Sequence, residues 1–173
     1  MALSLIGVLT SVDEDSLARV SAENPGWKFE IDVDGTLLVS PTHTDGGAQS
    51  AEACGQLRDW KRRVGGRVFD SNTGFKIGPG KRVYSPDAAW LSRERIDSLS
   101  PEQRTKFWTV SPDVAIEVNS SSDDWSDTVE KTRAYLERGT LFAVAIEPAT
   151  REVIEFGVKP AGLNLDYEGI IDA

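Results

Sequence analysis

The sequence is poor in the side chains on which thiol and soft-metal chemistry depends. It contains one cysteine, Cys54, and one histidine, His43, among 173 residues. A single thiol excludes an internal disulfide and a site built from several thiolates, and a single imidazole excludes any site that needs two. His43 follows a Ser-Pro-Thr segment and is expected in a surface loop. Polar chemistry in this chain must therefore rely on carboxylates, lysines and arginines.

Long apolar runs are also missing from the sequence. The longest strictly apolar stretch covers residues 141–146, whereas a membrane-spanning helix needs about 20 such residues. The apolar segment at residues 2–12 has no Lys or Arg before it and three acids after it, which is not the pattern of a signal peptide. We therefore expect a soluble, cytoplasmic protein without a membrane partner.

The length and the charge set further limits. A chain of 173 residues with 39% hydrophobic side chains is typical of a single domain with one sizeable core. The net charge of −9 argues against strong non-specific affinity for nucleic acid. Residues 58–106 nevertheless carry 12 basic and 6 acidic side chains. If the fold gathers these cations on one face they can bind phosphates, and if they are scattered they pair with acids. Charge alone leaves both alternatives open.

Hydrophobic patterning in the first two thirds predicts short strands around one long helix. The helix is predicted at residues 47–64, and the strands at 27–33, 36–40, 67–70, 74–78, 82–84 and 87–91. Asp34-Gly35 is typical of a two-residue hairpin turn between the first two strands. The short strands from residue 67 onward have the pattern of a β-meander.

The last third has a clearer pattern. An apolar strand is predicted at residues 113–118, a helix of about 14 residues from Trp125, and strands at 141–146 and 151–156. The strand–helix–strand order implies a parallel, right-handed crossover, and the closing hairpin adds an antiparallel strand. The sequence therefore predicts an α/β fold with a mixed sheet. Residues 158–173 show no pattern that predicts an element.

Two carboxylates interrupt apolar strands. Glu117 lies in the strand at 113–118, and Asp87 opens the strand at 87–91. A buried carboxylate is costly unless it is paired or bound to a cation, and a divalent ion between two acids would remove their repulsion. Oxygen ligands suit Mg²⁺ or Mn²⁺. The alternative is that Glu117 pairs with a Lys or Arg while Asp87 caps a turn, and the spacing alone favours this alternative.

Lys131 is a further candidate for the same site, and Glu30 is a weaker candidate for a functional role. Lys131 follows Glu117 by fourteen residues, on the next predicted helix, and could lean over the end of the strand. An i, i+4 ion pair with Asp127 is the alternative, and the spacing alone favours it. Glu30 shares a strand face with Lys28 and Asp32, and this face is interpreted as solvated.

A series of short sequence blocks runs through the chain. They are Gly66-Arg67-Val68-Phe69-Asp70, Thr73-Gly74-Phe75, Ser85-Pro86-Asp87-Ala88-Ala89-Trp90, Ile116-Glu117-Val118, Lys131 and Tyr135. Taken in this order, the blocks resemble the Uma-two family of restriction-endonuclease-like proteins, within the PD-(D/E)XK nuclease superfamily. The resemblance covers about residues 15–157 and leaves 158–173 as a C-terminal tail.

The resemblance implies a restriction-endonuclease-like αβββαβ core, in which helices flank a mixed central sheet. It carries the metal-binding acids onto Asp87 and Glu117, joined by the backbone carbonyl of Val118. The superfamily lysine would stand where this chain has Asn119, so the resemblance assigns the catalytic lysine to Lys131 on the following helix. Glu30 matches a further acidic position in the first strand and is included among the catalytic candidates.

The activity that the resemblance implies is hydrolysis of phosphodiester bonds in DNA with Mg²⁺ or Mn²⁺. A homodimer is expected, because one site attacks one strand and a double-strand cut needs two copies. The competing hypothesis is a nuclease fold that binds DNA or a protein partner with little or no catalysis. The residues expected to contact flanking phosphates are Lys61, Arg62, Arg63 and Arg67.

Overall fold

The computed structural model describes residues 13–25, 27–31, 36–41, 44–78 and 83–173. The helices are α1 (Glu14–Glu23), α2 (Thr44–Val64), α3 (Arg93–Ser98), α4 (Trp125–Glu137) and α5 (Tyr167–Ile171). The strands are β1 (Trp27–Ile31), β2 (Leu37–Pro41), β3 (Arg67–Asp70), β4 (Phe75–Lys76), β5 (Val83–Tyr84), β6 (Ala88–Leu91), β7 (Trp108–Thr109), β8 (Val114–Val118), β9 (Phe142–Glu147) and β10 (Glu152–Gly157). His43 and the turn predicted at Asp34-Gly35 lie outside the described residues. None of the helices described here is both long and apolar enough to cross a bilayer.

The central sheet has the strand order β10-β9-β8-β6-β3. Strands β8 and β9 are parallel and are joined by α4, whereas the other neighbouring pairs are antiparallel. The succession α2-β3-β6-β8-α4-β9 is the αβββαβ order expected for the core. The predicted α/β fold with a mixed sheet is therefore confirmed.

A second sheet, which the sequence did not predict, has the order β2-β1-β5-β4-β7. The meander prediction is wrong in its pairing, because β3 pairs with β6 while β4 and β5 pair in the second sheet. The chain passes from one sheet to the other at Ser85-Pro86, between β5 and β6. Proline has no N–H and cannot continue a hydrogen-bonded ladder, so it suits a corner between two sheets.

The central sheet is covered on both faces. Val114 and Ile116 of β8 face the core that contains Leu57 of α2. The alternate residue, Ala115, faces the core that contains Tyr135 of α4. Because side chains alternate along a strand, small residues on the second face let the aromatic ring of Tyr135 approach the sheet. The same alternation turns Glu117 toward the α4 side.

The C-terminal segment belongs to this core. Helix α5 begins at the N-cap Asp166, whose carboxylate accepts the amide of Gly169 at 3.1 Å. Leu163, Ile170 and Ile171 are buried against the central sheet. A five-residue helix is too short to show a helical hydrophobic period, so the sequence pattern did not predict it.

The junction between α2 and β3 is made by two glycines with positive φ, Gly65 at +82° and Gly66 at +81°. A Cβ on Gly66 would lie 2.3 Å from the carbonyl oxygen of Leu91 and 2.7 Å from Nε1 of Trp90, whereas a Cβ on Gly65 would meet nothing within 4 Å. The indole of Trp90 donates to the Gly65 carbonyl at 3.0 Å. The two positions therefore share a backbone conformation and differ in the space around them.

This difference gives a matched pair of variants. Gly65→Ala should cost about 1–2 kcal/mol of unfolding free energy, the cost of a left-handed conformation for an L-residue. Gly66→Ala should cost at least about 1–3 kcal/mol more, because β3 and β6 must separate to admit the methyl group. Urea unfolding of both variants tests this. Equal losses of unfolding free energy would show that the close approach of β3 and β6 does not add to the cost of the Gly66 substitution.

Candidate active site

The four catalytic candidates meet in one cleft of about 1000 Å³. Its walls come from β1 and β2, the first turns of α2, the end of β8 and α4. Glu30, Asp87, Glu117 and Lys131 all line it. The fold thus brings together side chains that lie up to 101 positions apart in the sequence.

Asp87 and Glu117 are placed by the pairing of β6 with β8. Ala88 lies opposite Ile116, and continuing this register by one residue sets Asp87 opposite Glu117. Side chains of directly opposed residues are close neighbours on one face of a sheet. Asp87 Oδ2 accepts the Val118 amide at 2.8 Å, so this carboxylate is fixed to the end of β8.

Lys131 connects the acids of the two sheets. Its Nζ lies 3.0 Å from Glu30 Oε2 and 3.1 Å from Glu117 Oε1. The side chain is 20% exposed. The ion pairs that Lys131 forms are therefore inside the cleft, and the surface pair with Asp127 is not the arrangement found.

The interpretation of the strand face of Glu30 as solvated is wrong. The residue is only 6% exposed, because its carboxylate lies against Lys131 and the backbone amide of Ser85. Its Oε1 accepts the amide of Ser85 at 2.5 Å. The corner between the two sheets thus holds Glu30 in place for its contact with Lys131.

Two members of the cluster carried no assigned role in the sequence analysis. Lys28, two residues before Glu30, places Nζ 3.2 Å from Asp87 Oδ1. Tyr135 is fully buried and donates its hydroxyl to Glu117 Oε1 at 2.8 Å. A signal for Tyr135 existed, because residues four apart share a helix face and Tyr135 follows Lys131 by four. The strand face of Lys28 gave no comparable signal.

Burial and mutual charge set the proton affinities of the cluster. Burial raises the pKa of Glu117 to about 7, against the opposing effect of the Lys131 and Lys28 ammoniums. Burial by itself would lower the pKa of Lys131, but the carboxylates of Glu117, Glu30 and Asp87 outweigh it and raise that pKa. Burial and the nearby Glu117 also raise the pKa of Tyr135. Lys131 and Tyr135 therefore keep their protons as donors to the carboxylates.

The donor set fits a small divalent cation. Asp87 and Glu117 offer hard oxygens from adjacent strands, and Mg²⁺ is commonly bound through one or two carboxylates while it keeps several waters. Within the described ranges, no group of three or more His, Cys, Asp or Glu side chains is arranged to hold a metal. A site on these two carboxylates would be completed by backbone, water or substrate oxygens.

The basic residues predicted to contact DNA lie elsewhere. Lys61, Arg62 and Arg63 are in the last turn of α2, whereas Gln49, near the start of this helix, lines the cleft. A helix rises about 1.5 Å per residue, so Lys61 is about 18 Å from Gln49 along the axis. Arg67 lies over the ring of Trp108, 5.7 Å from its centroid. None of the four is among the residues that line the cleft, and their contact with DNA stays a prediction.

The cleft itself is rich in carboxylates. Beyond the central cluster, the acids along its walls are Asp45, Asp123, Asp124, Asp127, Glu130 and Glu147. The lysines described along the same walls are Lys28 and Lys131. A polyanion that enters this cleft without a metal ion therefore meets mostly like charge.

The raised pKa of Glu117 predicts a pH dependence of the metal-free protein. Since the folded state holds this proton up to about pH 7 and the unfolded state releases it near its ordinary value of 4.5, the contribution of Glu117 to stability is full below pH 4.5. That contribution is lost as the pH rises toward 7 and beyond. The unfolding free energy of the wild type should therefore fall by on the order of 1–3 kcal/mol between pH 4.5 and 8. The Glu117→Gln variant should not show this fall.

Urea unfolding across this pH range is the measurement. Glu130→Gln removes an exposed carboxylate from the same cleft and controls for the loss of one negative charge. Parallel pH profiles for the wild type and Glu117→Gln would contradict the prediction.

Comparisons with known proteins show the family and the fold of this chain. A family model described as "Uma2: Putative restriction endonuclease" matches residues 13–165. The fold matches a crystal structure described as "a putative nuclease belonging to DUF820" from Anabaena variabilis, with a TM-score of 0.66 and 16% identity over 93% of this chain and 98% of that one. No curated protein matches the sequence. The match to the family model covers nearly the whole chain, and the protein therefore belongs to the Uma2 (Uma-two) family.

Proposed function

We propose that this protein is a divalent-metal-dependent endodeoxyribonuclease that hydrolyses phosphodiester bonds in DNA. The observation that carries the proposal is the convergence of Asp87, Glu117 and Lys131 in one cleft, with Lys131 3.1 Å from Glu117. Two acids on adjacent strands with a lysine beside them supply ligands for a cation and a donor for a phosphate. Membership of the Uma2 family supports the same activity.

Asp87 and Glu117 would hold Mg²⁺ or Mn²⁺, joined by the carbonyl of Val118. The Val118 amide donates to Asp87, and the N–H and C=O of one strand residue face the same neighbour, so this carbonyl is directed to the Asp87 side. When bound, the ion lowers the pKa of a coordinated water and stabilises negative charge on the phosphate. Tyr135 fixes the Glu117 carboxylate by its hydrogen bond.

Lys131 would act on the reacting groups directly. Its ammonium is held by Glu30 and Glu117 at 3.0 and 3.1 Å, so its orientation is set before substrate arrives. An ammonium has three donors, and the one left over can orient the attacking water or bind the charge that develops on the phosphate. Glu30 is proposed as a positioning residue, because the groups it contacts are Lys131 and the Ser85 amide.

A homodimer is proposed for double-strand cleavage. The described residues bring one such cluster together, and one cluster can attack one strand at a time. Closed two-fold symmetry is the commonest arrangement of two copies. Arg67 and the basic end of α2, which lie away from the cleft of their own chain, are proposed to contact phosphates that flank the cut.

Metal binding is the first test of the proposal. Mn²⁺ titrated calorimetrically into the wild type should bind, and Asp87→Asn combined with Glu117→Gln should weaken that binding by about 100-fold or more, because both charged ligands are lost. Asp127→Asn, which removes an exposed carboxylate from the same cleft, should bind like the wild type. Identical isotherms for the wild type and the double variant would reject the metal site.

The second test concerns Lys131. Lys131→Met should lower plasmid cleavage in Mn²⁺ by on the order of 100-fold, as expected when a preorganised donor to the transition state is lost. Metal-free stability should fall, because Glu30 and Glu117 lose their shared counter-ion, while Mn²⁺ affinity should hold or rise. Asp127→Asn is again the control and should cleave normally.

Unchanged turnover of Lys131→Met would end the catalytic role of this lysine. A wild type that binds Mn²⁺ and DNA without cutting the plasmid would instead favour the alternative, a nuclease fold used for binding. The carboxylates along the cleft favour the form of this alternative in which the partner is a protein, because they repel DNA.

A further inference from the structure

Lys28 differs from Lys131 in how tightly the cluster holds it. Among the described residues its ammonium pairs with a single carboxylate, Asp87, at 3.2 Å, whereas Lys131 is held by both Glu30 and Glu117. The side chain of Lys28 is 19% exposed and lines the cleft. Lys28 is therefore a cation whose ion-pair partner in the described part of the chain is also a proposed metal ligand.

We propose that Lys28 is a phosphate-contacting residue that a divalent cation on Asp87 releases from its ion pair. The released ammonium then binds a non-bridging oxygen of the phosphodiester in the cleft. This inference rests on the proposed function and adds to it a residue that couples the metal to the substrate.

The charges of the cluster support the release. Above about pH 7, where Glu117 is ionised, three carboxylates and two ammoniums give a net charge of −1, and a divalent ion changes it to +1. An ammonium and a divalent ion that share one carboxylate repel each other, and this repulsion is stronger in a partly buried site than in bulk water. The lysine stem is flexible, so Lys28 can leave Asp87 without moving β1.

The surroundings of Lys28 determine its next partner. Burial would lower its pKa, but Asp87 and Glu30 outweigh this and raise the pKa, so the ammonium stays charged. Among the described residues that line the cleft, Lys28 and Lys131 are the only lysines, and no arginine lines it. Since Lys131 keeps two carboxylate partners, Lys28 is the more readily released of the two ammoniums and can move to an anionic substrate.

The test combines metal and DNA binding to Lys28→Met. Calorimetry should show Mn²⁺ affinity raised roughly tenfold or more, because a competing cation is gone from Asp87. Anisotropy of a fluorescein-labelled DNA duplex should show affinity lowered about tenfold in saturating Mn²⁺ and unchanged without metal. In Mn²⁺ the slope of log affinity against log salt should shrink by about 0.9, the value for one lost phosphate contact.

The controls separate this role from a merely structural ion pair. Lys159→Met removes a lysine that pairs with Glu155 outside the cleft, and should show no metal-dependent change in DNA affinity. Lys28→Arg keeps the charge and should retain most of the DNA affinity in Mn²⁺. If Lys28→Met does not fold, Lys28→Gln, which can still donate to Asp87, takes its place in both measurements.

The outcomes distinguish this inference from the proposed function. A wild type that binds no Mn²⁺ overturns both. Normal Mn²⁺ binding by the wild type, together with unchanged DNA affinity of the variant in Mn²⁺, overturns only the role of Lys28 and leaves it a counter-ion of Asp87. A loss of DNA affinity that is the same with and without metal also overturns it, because release by the metal is then not required.

Discussion

The site depends on one constraint, the compensation of three neighbouring carboxylates by two lysines. Glu30 and Glu117 are both buried, and acids in such surroundings are costly unless cations lie among them. Buried ion pairs of this kind are weak stabilisers, since well-packed apolar side chains of similar volume often do as well or better. These charges therefore contribute little to the stability of the fold, and a chemical function explains their presence better than stability does.

The arrangement of the two sheets and α4 brings these charges together. Glu30 comes from the second sheet and Glu117 from the central sheet. Lys131 comes from α4, the crossover helix between β8 and β9. The Ser85-Pro86 corner ends one sheet and begins the other, and its amide hydrogen bond fixes Glu30. Because a right-handed crossover returns α4 across the face of the sheet, Lys131 reaches both acids from above the end of β8.

The parts of this arrangement that could be predicted from the sequence are those with a strong local sequence pattern. Glu117 stands out as an acid in an apolar strand, and the strand–helix–strand order around α4 fixes a parallel pair. The second sheet could not be predicted, because β4, β5 and β7 have two residues each and show no alternation. Alternation along β1 separates its two faces, but it does not say that Lys28 will meet Asp87 or that Glu30 will meet Lys131.

The distribution of charge links metal and substrate in a way that neither sheet alone would produce. The basic end of α2 and Arg67 lie away from the cleft, while acids line its walls. Under the proposed function, a DNA backbone approaching this cleft is repelled until a cation changes the sign of the central cluster. Linkage is reciprocal, so bound DNA must strengthen metal binding by the same factor by which the metal strengthens DNA binding. An acidic protein with a net charge of −9 can then act on a polyanion, because the cation and the two lysines supply positive charge where the phosphate reacts.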